Sequence, residues 1–232
     1  MAFTGNTGEL KRLFDTGAHF AQVKSRRHPS MKPFILGAKG RSEIIDLAKT
    51  ENQLEAAKAA MTTLAKDGRT VLFVGGKPEI APIVKAAALK IGAPYVATRW
   101  LGGTISNWVE IKKRIDRLTS LTQMKAEGTL AKQHTKLEIV RLDREAKKLT
   151  LRLDGITALA KKPDALLVVD TKHEKHAVKE AADAGIPVIA LMSSDCDLKD
   201  AAYPIVGNDA SRETVALILD ELVGAYEQGR AV

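Results

Sequence analysis

The chain alternates short apolar runs with segments that have helical periodicity. The apolar runs lie at residues 42–47, 70–76, 94–97, 164–170 and 187–191. Strands that are apolar on both faces and are separated by helices are typical of a parallel sheet covered on both sides. The pattern therefore predicts an α/β fold with a doubly wound, mainly parallel sheet flanked by helices.

Helices are expected between and after these strands. The predicted segments are residues 9–16, 50–66, 78–91, 174–184 and 211–226. Pro78 is expected to open the third of them, because a proline in the first turn removes no helical hydrogen bond. Gly17 is expected to end the first.

The alternation stops in the middle of the chain, where apolar residues follow a heptad-like spacing. They step by 3, 4 and 3 residues from Trp108 to Leu118, and by 3, 4, 3, 4 and 3 from Ile139 to Ile156. This is the seam spacing of a coiled coil, and Gly128 lies where the chain must reverse. Two amphipathic helices folded back on the main core are the alternative.

These patterns predict a body with one insertion. We expect residues 1–104 and 157–232 to form the α/β body, and residues 105–156 to form an antiparallel coiled-coil hairpin. Residues 16–42, called the basic arm below, are expected to extend from the body near its start.

The basic arm holds no acidic residue over its 27 positions, since Asp15 and Glu43 lie just outside it. Prolines and glycines interrupt it and disfavour a regular helix or a central strand. Six uncompensated cations repel one another unless an anion lies beside them, so the arm is a candidate phosphate-binding surface. A solvated surface loop is the alternative. The cations are Lys24, Arg26, Arg27, Lys32, Lys39 and Arg41.

Charge is distributed unevenly along the 232 residues. The net formal charge is +8, but residues 1–182 carry 33 Lys and Arg against 19 Asp and Glu, a balance of +14. Residues 183–232 carry 3 against 9, a balance of −6. This separation of positive from negative charge favours a polyanionic partner such as nucleic acid on one side of the molecule.

The segment TRWLGGTISN places Arg99 and Trp100 at the junction of body and hairpin. A guanidinium beside a large aromatic face suits RNA, although Trp100 can equally plug the hairpin base into the core while Arg99 faces outward. Further cations crowd the first hairpin helix, where interleaved acids make a solvated face an equally good interpretation. They are Lys112, Lys113, Arg114 and Arg117.

Signals for small-molecule chemistry are weak. Gly75 and Gly76 follow a strand where doubly wound folds hold phosphates, but neither dinucleotide nor P-loop spacing is present. Lys77 is expected to be a solvated or RNA-facing cation. We predict no enzyme and no cofactor, keeping a nucleotide-binding enzyme and a protein-interaction adaptor as alternatives.

Metal-ligand residue types follow two neighbouring strands without matching a strong zinc pattern, so no metal is predicted. They are Asp170, His173, His176, Asp195, Cys196 and Asp197. The single cysteine excludes an internal disulfide, and no secretory signal or membrane-spanning run is visible. These observations predict a cytoplasmic protein.

Ten segments in order resemble the bacterial-type small-subunit ribosomal protein S2 family, over nearly the whole chain. RWLGGT (99–104) and PDALLVVD (163–170) are the most specific. The others are GAHF (17–20), HPSMKPFILG (28–37), IIDLAKT (44–50), VLFVGGK (71–77), KRIDRL (113–118), HAVKEA (176–181), GIPVIAL (185–191) and GND (207–209).

The resemblance implies a structural, ribosome-bound protein that contacts small-subunit ribosomal RNA and neighbouring ribosomal proteins, and helps to hold the messenger-binding ribosomal protein S1. Neither a membrane nor DNA is an expected partner. The residues expected to bind RNA are Lys24, Arg26, Arg27, His28, Lys32, Lys39, Arg41, Lys77, Arg99, Trp100, Lys112, Lys113, Arg114 and Arg117.

Overall fold

A computed structural model describes residues 7–128 and 135–231. Its helices within these ranges are α1 (Thr7–Asp15), α2 (Leu47–Lys66), α3 (Ala81–Lys90), α4 (Trp108–Ala126), α5 (Lys136–Leu153), α6 (Lys175–Asp183) and α7 (Arg212–Arg230). The strands are β1 (Phe20–Val23), β2 (Ile35–Lys39), β3 (Ser42–Ile45), β4 (Val71–Val74), β5 (Tyr95–Val96), β6 (Ala165–Val169), β7 (Val188–Met192) and β8 (Tyr203–Val206).

The main sheet has five parallel strands in the order β5-β4-β6-β7-β8. The strand order reverses between β4 and β6, where Phe73 pairs with Leu167. Both strands are buried along their whole length because helices cover both faces of the sheet. The predicted doubly wound α/β fold is confirmed.

Alternate residues of each strand face opposite sides of the sheet and enter two separate cores. Phe73 and Leu167 pack with α2, α3 and α7 on the first face. Leu72 and Leu166 pack with α6, the base of α4 and part of the basic arm on the second face. The arm and the hairpin base therefore cover the same face of the sheet.

The basic arm is not a free loop. β1 and β2 pair with β3 in a separate antiparallel sheet of order β1-β3-β2, so the expectation that residues 42–47 extend the parallel sheet was wrong. The arm supplies the two edge strands, as its prolines and glycines allow. Met31, in the 3-10 turn Pro29–Phe34, is fully buried in the second core and fastens the arm to the body.

The hairpin helices α4 and α5 lie side by side and run antiparallel. Ile111, Ile115 and Leu118 of α4 are buried. Ion pairs join Arg117 to Glu145 at 3.2 Å and, further along α4, Lys125 to Asp143 at 2.8 Å. Residues 129–134, expected to form the tip, lie outside the described residues. Coiled-coil packing and the division into body and insertion stay predictions.

The start of α3 and the last strand differ from what the sequence pattern predicts. Pro78 lies in a turn three residues before α3, and Pro82 occupies the first turn of that helix instead. Strand β8 was not predicted, because Pro204 lies inside it and proline disfavours a strand with neighbours on both sides. β8 is an edge strand and tolerates it. Among the described residues, no helix has both the length and the apolar character of a membrane span.

Candidate nucleic-acid interface

Most cations of the basic arm point into solvent. Five of the six have exposed side chains and form no ion pair with any residue that the structure describes. These five are Lys24, Arg26, Lys32, Lys39 and Arg41. Because β1 and β2 are edge strands on a body fixed by Met31, these charges are held on a defined surface.

The other two predicted arm residues hold the arm in place. Arg27 Nη1 lies 2.8 Å from Oε1 of Glu43, whose side chain is only 2% exposed, so the expectation that all six cations are uncompensated was wrong for Arg27. The backbone N–H of His28 donates to the carbonyl of Ser194 at 2.8 Å, and its Nδ1 lies 2.8 Å from Ser30 Oγ. Both residues therefore serve the architecture of the arm.

The loop at the hairpin base is tied to α6 by one carboxylate. Glu180 accepts hydrogen bonds from the backbone N–H groups of Gly103, Ile105 and Ser106, at 2.8, 3.1 and 3.2 Å. Trp100 Nε1 also donates to it at 3.1 Å. Burial raises the pKa of Glu180, but the donors outweigh burial and hold that pKa below its ordinary value.

Trp100 is buried, which matches its interpretation as the plug of the hairpin base rather than as a stacking face. Arg99 next to it is exposed and forms no ion pair with a described residue. On α4, Lys112 and Arg114 are likewise exposed and unpaired within the described part of the chain. Lys113 contacts Glu110 at 2.6 Å, so it shares its charge with a neighbouring acid.

Lys77 lies between two carboxylates at the carboxyl ends of the strands. Its Nζ is 2.5 Å from Asp170 Oδ2 and 3.4 Å from Asp209 Oδ2. Its side chain is 23% exposed and those of the two aspartates are 9% and 2% exposed. The expectation of a solvated or RNA-facing Lys77 was wrong, because this ammonium is the counter-ion of a buried acidic pair.

The predicted metal-ligand residues do not converge as a group. Asp170 and Cys196 do meet, with Asp209 as the third member. Burial raises the pKa of Cys196 to about 12, which keeps the thiol protonated, and Lys77 already compensates the carboxylates. This chemistry suits a metal poorly. Asp209 was missed by the spacing argument, and its signal was the GND segment.

Three of the remaining four candidates contact neighbouring protein groups, and Asp197 does so by accepting from the backbone N–H of Lys199 at 3.1 Å. His173 Nδ1 lies 2.7 Å from Glu174 Oε1, and Lys172 Nζ lies 2.9 Å from Asp195 Oδ2. His176 is exposed on α6. These contacts account for the polar residues after β6 without a ligand.

The glycine turn after β4 is occupied by protein. The N–H of Gly76, which a phosphate would need, donates to Glu174 Oε1 at 2.9 Å. A Cβ on Gly76 would lie 2.6 Å from the carbonyl oxygen of Thr98, so glycine is required for close packing. The geometry therefore gives no support to the nucleotide-binding alternative.

Comparison with known proteins adds to this geometry. Residues 13–229 match the family described as ribosomal protein S2. Proteins named small ribosomal subunit protein uS2 are similar over 95% of this chain. That of Dictyoglomus thermophilum is 39% identical with 89% of its own length covered, that of Micrococcus luteus 38% with 77%, and that of Synechococcus elongatus 38% with 88%.

Proposed function

The chain belongs to the ribosomal protein S2 family, and from this premise we propose that its basic arm binds small-subunit ribosomal RNA. Members of the family are structural components of the small ribosomal subunit. The chain accordingly has a structural role in translation, bound to ribosomes in the cytoplasm, and is not an enzyme.

One observation carries the proposal for the arm. Five exposed cations without an ion pair to a described residue lie on a segment that β3 and Met31 hold against the body. A fixed set of unneutralised positive charges is complementary to a sugar-phosphate strand. Contacts of this kind go to phosphates and 2′-hydroxyls, so the shape of the RNA decides recognition more than its base sequence.

A salt titration of RNA binding tests the arm. Each neutralised phosphate contributes roughly −0.7 to −0.9 to the slope of log K against log salt, so five cations give about −3.5 to −4.5. Changing Lys24, Arg26 and Lys32 together to Gln should flatten the slope by about two to three units. The measurement is filter binding to transcribed small-subunit ribosomal RNA.

The control keeps the charge change and moves it to the other face. Lys66→Gln, Arg69→Gln and Lys90→Gln together remove three exposed cations from the end of α2, the loop after it and α3, and both helices pack on the first face of the sheet. Arg27 is left intact, because its loss would leave the buried carboxylate of Glu43 without its counter-ion. An arm variant with the wild-type slope would refute the proposed role of the arm.

The family resemblance also leads us to propose that the chain helps to hold the messenger-binding ribosomal protein S1. An exposed aromatic stack at the start of the arm supports a protein contact there: the rings of Phe14 and His19 are 4.4 Å apart and those of His19 and Phe20 are 4.1 Å apart. Phe14 and Phe20 are 58% and 42% exposed, and exposed apolar groups of this size mark interaction surfaces.

Small subunits assembled with Phe14→Ser and Phe20→Ser should retain less S1, measured by quantitative mass spectrometry of purified subunits. Leu137→Ser with Leu151→Ser removes two exposed apolar groups from α5 and is the matched control. Equal S1 content in the stack variant and the wild type would contradict this partner.

A further inference from the structure

A groove at the base of the hairpin combines an apolar floor with a cationic rim. It lies where the start of α4 faces the loop before β6, and its volume is about 550 Å³. Trp108, which is half-buried against the second core, and Val109, which is 66% exposed, provide its apolar surface. Of the described residues that line it, four are lysines and one is an aspartate, Asp116. The lysines are Lys112, Lys113, Lys161 and Lys162.

The lysines are available to an external anion. Lys112 and Lys162 form no ion pair within the described part of the chain. Lys113 and Lys161 contact Glu110 and Asp164 at 2.6 and 3.3 Å, but their side chains are 67% and 69% exposed. Solvent-exposed pairs of this type contribute little free energy, so a phosphate can replace the carboxylate partner.

We propose that this groove binds an unpaired nucleotide of small-subunit ribosomal RNA, with the base against Trp108 and the flanking phosphates on the four lysines. The proposal rests on the ribosomal role proposed above and adds a second contact that is independent of the arm. A flat aromatic surface beside clustered ammonium groups is complementary to a nucleotide, which combines a π face with a negative charge.

The position of the groove favours RNA over a protein occupant. The base of α4 and the basic arm pack on the same face of the sheet, because Ile111 and Met31 share the second core. RNA that follows the arm therefore lies against the face of the sheet that the base of α4, and with it the groove, also covers. The base must be unpaired, since a base inside an A-form helix offers no free face for stacking.

Two variants of the full-length chain separate stacking from charge. Trp108→Leu should weaken binding of transcribed small-subunit ribosomal RNA by about 10-fold, as expected for loss of one stacked base. Lys112→Gln with Lys162→Gln should flatten the salt slope by about 1.4 to 1.8 units. RNA should also quench the fluorescence of wild-type Trp108, while the buried Trp100 that remains in Trp108→Leu should not respond.

Controls keep each outcome decisive. Trp108→Phe preserves an aromatic face and should bind RNA more tightly than Trp108→Leu, and the double lysine variant tests the groove without disturbing packed residues. Lys66→Gln with Lys90→Gln removes the same number of cations from the first face and controls for net charge.

Different experimental outcomes would overturn the proposal for the groove and the proposal for the arm. Unchanged tryptophan emission on RNA binding, or an unchanged slope in the lysine variant, overturns the groove even when the arm variant behaves as proposed. Tight binding of a ribosomal protein that protects Trp108 in the absence of RNA overturns it in favour of a protein occupant. A flattened slope in the lysine variant with a normal slope in the arm variant supports the groove and refutes the arm.

Discussion

Buried carboxylates form the hydrogen bonds and ion pairs that fix the loops at the carboxyl ends of the parallel strands. Asp170 adopts a left-handed backbone conformation, with φ at +66°, and its Oδ1 accepts from the N–H groups of Lys172 and His173 at 3.0 Å. Its other oxygen contacts Lys77. Strained residues of this kind often mark functional sites, but here internal donors and a lysine satisfy the carboxylate. The strain serves the turn that carries the chain from β6 into α6.

Asp209 shows what burial does in this setting. Burial and the neighbouring charge of Asp170 raise the pKa of Asp209 to about 6, against the opposing effect of Lys77. An acid whose pKa is raised by folding binds more protons in the folded state, so its contribution to stability falls as the pH rises from about 4 to about 6. A polar cluster of this kind is therefore a cost that the fold tolerates.

The pKa of Glu180 is shifted downward, opposite to that of Asp209, so its carboxylate stabilises the fold at neutral pH. Because its pKa is lowered by folding, it adds stability above its unfolded pKa, and this stability is lost as the pH falls through the lower folded value. Glu180→Gln should reduce the free energy of unfolding at pH 7 by about 2 to 3 kcal/mol, since charged hydrogen bonds to several donors are weakened. Urea unfolding measures the difference.

The pH dependence distinguishes this effect from a packing defect. The stability gap between Glu180→Gln and the wild type should narrow as the pH is lowered from 7 towards 3. Glu79→Gln removes an exposed carboxylate and should leave stability within about 0.5 kcal/mol of the wild type. A gap that stays constant over this pH range would contradict the ionised role of Glu180.

At the scale of elements, the parallel sheet was predictable and the small sheet was not. β4, β6 and β7 are apolar on both faces, so their composition alone identifies central strands. β1 and β2 lack that signal, because each is an edge strand with mostly exposed or half-buried residues. Their pairing depends on β3, whose own short run does not reveal which sheet it joins.

For the candidate site too, composition identified the charged residues but not the contacts that only the fold creates. A run of cations without acids identified the arm, because charge is visible in composition. The pairing of Arg27 with Glu43 was hidden, since it arises when β3 folds against the arm and brings the first acid after the run alongside. Lys161 and Lys162 were missed for a similar reason: only the fold places the loop before β6 next to the start of α4.

At the scale of the whole molecule, the proposed RNA-binding cations and the acidic last segment belong to opposite faces of the sheet. The basic arm, Arg99 and the base of α4 belong to the second face of the sheet, whereas α7 from the acidic last segment packs on the first. Exposed acids of α7 include Glu213, Asp220 and Glu227. α7 begins beside the start of the arm, because Ser211 Oγ and Thr214 Oγ1 donate to the carbonyl of Thr16 at 3.0 and 2.9 Å. Asp220 and Glu227 lie further along this helix, which packs on the first face, so their negative charge disfavours RNA on that face.

Chemical modification of lysines tests this orientation in one experiment. In the complex with small-subunit ribosomal RNA, acetylation should slow at Lys24, Lys32 and Lys39 of the arm, because bound phosphate shields their amines from the reagent. Lys66 and Lys90 should keep the reaction rates of the free protein, since they lie on α2 and α3 of the first face. Mass spectrometry of the modified peptides gives the rate at each site. Equal protection of both groups, or protection of Lys66 and Lys90 alone, would mean that RNA does not lie against the face that carries the arm.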